Sequence, residues 1–139
     1  MILRRIPTLP LFLALVCLAL SPAALAQPTL CEAVENCALT WNTSGDASWF
    51  GQTDVTTDGF DAAQSGGIGD DQSSVMETTV TGPATVMFLW KVSSEEDYDF
   101  LEFTDNGALV SEISGNVHWT LVTHDLTEGV HTLSFTYYK

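Results

Sequence analysis

Two runs of carboxylates are the residues in this chain best suited to holding something. Asp58, Asp61, Asp70 and Asp71 surround a glycine-rich stretch, and Glu95, Glu96, Asp97 and Asp99 follow a long apolar run. A hard cation collects about six to eight oxygens from carboxylates and turn carbonyls, so calcium is the cofactor that either cluster suggests. Neither cluster has the spacing of a helix–loop–helix calcium site. Trp41 and Trp49 are the second set of candidates, because sugars stack on exposed aromatic rings. Trp90 lies inside the apolar run and reads as core, as does Trp119. Cys31 and Cys37 are separated by five residues that can form a tight turn, which predicts a local disulfide. Closing so small a loop contributes only about 2 kcal/mol in the chain-entropy picture, so this pair is a staple rather than a redox site.

Catalysis finds little support in the same residues. A Ser-His-Asp hydrolase needs a nucleophile on a strained turn with a base beside it, and no Gly-x-Ser-x-Gly motif occurs. His118, His124 and His131 fall singly on or near predicted strands, and their spacing does not specify whether they converge into a zinc site. Carboxylates are plentiful, but none is set apart as the raised acid that glycoside hydrolysis requires. The sequence therefore predicts a chain that is not an enzyme.

The elements that must position these residues are strands. Gly82-Pro83 is a turn signal that opens onto Ala84 to Val92, rich in β-branched and aromatic side chains, and Ser93 to Asp97 closes it. Val86, Phe88, Trp90 and Val92 share one face and Thr85, Met87, Leu89 and Lys91 the other, which predicts a strand covered on both sides inside a sandwich. Further strands are predicted at Val75 to Thr81, Tyr98 to Thr104, Ala108 to Ile113, Val117 to Leu126 and Val130 to Tyr138. Turn clusters separate the later ones: Asp105-Asn106-Gly107, Ser114-Gly115-Asn116 and Thr127-Glu128-Gly129. Leu30 to Ala38 is the one plausible helical turn, and residues 53–72 read as a long loop whose Phe60, Ala62, Ala63 and Ile68 favour order. The fold class is all-β, an antiparallel β-sandwich.

Residues 1–26 read as a secretory signal peptide. Arg4 and Arg5 precede an apolar stretch from Leu9 to Leu20, and Ala24-Leu25-Ala26 is a small-residue cleavage site. Cys17 leaves with it, and residues 27–139 form one domain. The whole chain has a net charge of −14, and after the leader only Lys91 and Lys139 stand against all 18 acidic residues. Such a surface repels phosphate backbones and anionic lipid headgroups, so neither nucleic acid nor a membrane is an expected partner. The expected localisation is secreted: extracellular, cell surface or periplasm. Asn42-Thr43-Ser44 matches a glycosylation sequon that matters only in a eukaryotic host.

Several blocks together resemble one family. They are Asp58 to Gly66, Asp71 to Ser74, Glu77 to Pro83, Trp90 to Glu95, Tyr98 to Leu101, Ile113 to Gly115, Trp119 and Gly129 to Leu133. In order and spacing they are similar to MAM-like, concanavalin A-like jelly-roll modules of bacterial secreted and surface proteins. The resemblance spans nearly all of residues 27–139 and implies a noncatalytic adhesion or ligand-binding module, with a protein or a glycan at the cell surface as ligand. A carbohydrate-binding module is the alternative. Members of that group place an acidic residue where His118 stands, and they carry a further Asp- and Gly-rich loop and a last strand beyond the position of Lys139. The resemblance therefore implies a C-terminally truncated module, a fragment of a larger surface protein, whose open sandwich edge would accept a strand from a donor.

Overall fold

The computed structural model describes residues 26–139, so the predicted signal peptide, apart from its last residue, lies outside the described residues. One short helix, α1 (Leu30–Ala33), precedes seven strands: β1 (Trp41–Gly45), β2 (Phe50–Gln52), β3 (Ala62–Gln64), β4 (Ser73–Ser93), β5 (Phe100–Asp105), β6 (Ala108–Ser114) and β7 (Asn116–Tyr138). The helix is only one turn, started by Thr29 and Glu32 in a reciprocal capping box and held by the Cys31–Cys37 disulfide. Five strands pair in the order β1-β4-β7-β5-β6, and β2 pairs with β3. Every pairing is antiparallel, which makes the described chain an all-β protein apart from α1.

Two predicted turns are not turns. Gly82-Pro83 and Thr127-Glu128-Gly129 lie opposite each other in the β4–β7 ladder, with Gly82 paired to Gly129. When both partners bend at one point in the register, pairing continues through the bend, and four predicted strands become two long ones. The bend needs glycine on both sides. A side chain on Gly82 would run into the Thr127 carbonyl oxygen, and Gly129 holds φ at 125°. By contrast, Asn106-Gly107 is a true hairpin turn, with φ of 51° and 77° and Asp105 paired to Ala108.

Beyond the bend, residues 84–93 of β4 and 116–126 of β7 pair only with each other, forming a ribbon. The ribbon folds back over the sheet made by β1, β5, β6 and the other halves of β4 and β7. Phe88 on the ribbon meets Phe103 of β5 and Phe135 of β7 with both ring centroids at 4.9 Å in edge-to-face geometry, and Trp90 at 5.5 Å. Met76, Trp90, Val92, Leu101, Leu126 and Leu133 complete the core around fully buried Phe103.

The ribbon's other face departs from the expectation of a strand covered on both sides. Met87 is 63% exposed, Leu89 45% and, opposite Leu89, Leu121 55%. Among the described residues nothing lies over them, because the second layer is only two strands wide. Phe103→Ala is expected to lower the free energy of unfolding by about 3–5 kcal/mol in urea titrations, since it empties the contact between layers. A loss below about 1 kcal/mol would mean that Phe103 is not the centre of the core.

Candidate functional site

A cleft of about 970 Å³ opens along the ribbon, between β4 on one side and β1, β2, β3 and the end of α1 on the other. Its floor is the apolar interior that the two-stranded layer leaves uncovered. Trp41, Trp49, Met76, Val86, Phe88 and Phe135 line it, with 38%-exposed Phe50 on the β2 side. The opposite wall is positioned by polar contacts that the sequence reading did not single out. Buried Gln52 closes the chain after β2, its carbonyl oxygen accepting from the Asp54 and Val55 backbone N–H groups and its amide donating to the Val55 carbonyl. Buried Ser74 donates to the Ala47 carbonyl and accepts from the Gly66 N–H, and Thr78 donates to the Thr40 carbonyl. These bonds pin Thr40, Ala47 and Gly66 to β4, while residues 53–60 between them stay largely exposed, Phe60 at 76%.

Both candidate tryptophans reach this cleft, but neither is an open platform. Trp41 is half-buried beside Phe135 at 6.5 Å and donates its indole N–H to the Asn36 carbonyl. Trp49 is half-buried and donates to the Ser74 carbonyl. Trp90 is buried core, and the half-buried Trp119 ring has the Lys91 ammonium 5.8 Å from its centroid.

The carboxylates of the first cluster are divided. Asp58 and Asp61 line the cleft, and the Asp58 carboxylate accepts from the Phe60 N–H in its own turn. Asp70 and Asp71 sit in the turn before β4, where the Asp71 N–H donates to the Lys139 carbonyl. The second cluster forms the connection from β4 to β5. Asp99 is buried there and receives the Lys139 ammonium at 3.3 Å, the Tyr137 hydroxyl at 3.3 Å and the Glu95 N–H at 3.4 Å. The Asp97 N–H donates to Ser114, which donates in turn to the Glu95 carbonyl, and Glu96 lies against Gly115. Burial, followed by the charge of Asp99, pushes the Tyr137 hydroxyl above its usual range. Among the described residues no three His, Cys, Asp or Glu side chains come together in a metal-holding group.

One constellation was missed in the sequence. At the bend, Asp105 receives His124 Nε2 at 3.0 Å and His131 Nδ1 at 2.8 Å, while His131 Nε2 lies 3.2 Å from the Thr127 carbonyl oxygen. Both ring nitrogens of His131 thus face oxygen acceptors. The signal available was weak: an aspartate starting the Asn106-Gly107 turn, and two histidines flanking a second turn cluster. His118 is exposed and stands apart. This group fastens β5 to both halves of β7 and so holds the bend closed.

Burial pushes the Asp105 carboxyl up, but the hydrogen bonds and charges of His124 and His131 outweigh it and hold the group below its ordinary 3.8. A carboxylate depressed in the folded state stabilises it above the ordinary value, and that stability fades as pH falls through the folded value. Asp105→Asn is therefore expected to be less stable than the unaltered protein near neutral pH, with the gap narrowing on acidification below about pH 4. Thermal melts across that range check this, and a gap independent of pH would contradict it. No protein-family model matches the chain, and neither does any curated protein or solved structure.

Proposed function

We propose that the chain is a secreted, noncatalytic β-sandwich module of the MAM-like jelly-roll kind, serving adhesion or ligand binding, with the cleft beside β4 as its binding element. The cleft itself carries this reading. Its volume of about 970 Å³ lies at the upper end of the range for ligand sites, and its wall is apolar and aromatic with a few carboxylates. Secretion is supported by the leader-like pattern of residues 1–26 and by the Cys31–Cys37 disulfide, which belongs in an oxidising compartment. A noncatalytic role is supported by the sequence, which carries no Gly-x-Ser-x-Gly nucleophile turn. A carbohydrate is the second reading, favoured by the presence of Trp41 and Trp49 on the wall.

The uncharged dye Nile red is expected to bind the protein saturably, and Phe50→Asp to weaken it about tenfold by placing a charge on the exposed apolar wall. Circular dichroism melts should shift by only a few degrees, because Phe50 lies outside the core cluster. Binding that is absent, or unchanged in Phe50→Asp, would contradict the cleft as binding element. A glycan-array hit lost in the same variant would replace the first reading with the second.

A further inference from the structure

The free side of β4 in the ribbon runs the length of the cleft. Residues 84–93 pair with β7 on one side, while on the other side the β1 ladder ends at Thr78. All ten of those residues line the cleft, including inward Val86 and Phe88 and outward Met87 and Leu89. An edge roughly 30 Å long presents unpaired backbone groups beside an uncovered apolar floor. On the outer face, Met87 and Leu89 have cross-strand neighbours only on the β7 side.

Resting on the reading of the cleft as the binding element, we infer that its occupant is an extended segment of a partner protein, flanked by lysine or arginine, that adds to β4 as a third ribbon strand. Main-chain hydrogen bonds to residues 84–93 hold it, and alternate apolar side chains enter between Phe88 and the Trp41–Trp49 wall. Charge selects the partner. Glu35, Asp58 and Asp61 lie along the cleft together with Lys91, which sits over the Trp119 ring, and Lys139, which is paired with Asp99; these two are the only lysines or arginines among the described residues, which carry all 18 acidic side chains. A second copy of this chain would bring the same acidic surface against it, which disfavours self-pairing.

The probe is a fluorescent peptide of about nine residues that alternates valine with threonine and carries lysine at each end. Anisotropy titrations of the unaltered protein are expected to give saturable binding with Kd on the order of 10 μM or tighter. N-methylation of alternate backbone nitrogens, tried in both registers, should weaken one register about tenfold or more, because it removes the donors that a ladder requires. Glutamate in place of the terminal lysines should weaken binding comparably at low salt, with the difference shrinking at about 0.5 M salt. Equal binding of both N-methylated peptides and the parent would overturn strand addition. A sedimentation dimer that excludes the peptide would make a second copy the occupant and overturn the basic partner. Nile red binding without peptide binding sinks this inference and leaves the cleft reading standing, whereas failure of both sinks both.

Discussion

The contact on which the structure depends is Phe88 against Phe103 and Phe135. It is the point where the ribbon touches the sheet, and without it the long β4–β7 pair would be an isolated two-stranded ladder beyond the bend, which has little stability of its own. Fully buried Phe103 receives edge-on Phe88 and stacks on Phe135 at 5.0 Å, so three strands converge on one aromatic cluster. The bend exists to make that contact. Gly82 gives the backbone room beside Thr127, and Asp105 with His124 and His131 ties the hairpin turn of β5 to both arms of β7.

The open cleft follows from the same arrangement. A two-strand layer over a five-strand sheet cannot cover all of its apolar face, and the uncovered part lies along β4. Ser74, bonded to Ala47 and Gly66, ties the segments flanking β2 and β3 to β4, Thr78 ties the chain entering β1, and Gln52 closes the turn after β2, so hydrogen bonds help to fix the cleft walls. The two acidic runs play different parts around this frame. Asp58 and Asp61 join Glu35 as the carboxylates of the cleft, whereas Asp99 is consumed in fastening Lys139 and Tyr137.

Much of the fold was legible in the sequence because strands and tight turns leave local signals. The alternation at residues 84–92, the Asn106-Gly107 hairpin and the Cys31–Cys37 spacing each correspond to the observed element. Gly82-Pro83 and Gly129 were misread as strand ends, because a turn composition cannot tell a chain reversal from two strands bending together; that depends on which residues face each other. The outer exposure of Met87 and Leu89 was likewise invisible, since apolar side chains on both faces imply coverage only if something is there to cover them. The Asp105 group and the cleft wall are made by residues far apart in the chain, such as Ser74 with Ala47, and pattern reading has no access to such pairs. Trp41 and Trp49 were singled out for their chemistry, and the cleft they line came from the fold.

The central claim is that β4 is paired on one side only across the ribbon. Residue-resolved hydrogen exchange of the backbone amides from Ala84 to Ser93 tests it most directly. Alternating slow and fast exchange along the strand is predicted, slow where the N–H points to β7 and fast where it points into the cleft. Uniform protection would contradict the account by meaning that the edge is already covered, and uniformly fast exchange would contradict it by meaning that the ribbon is not paired.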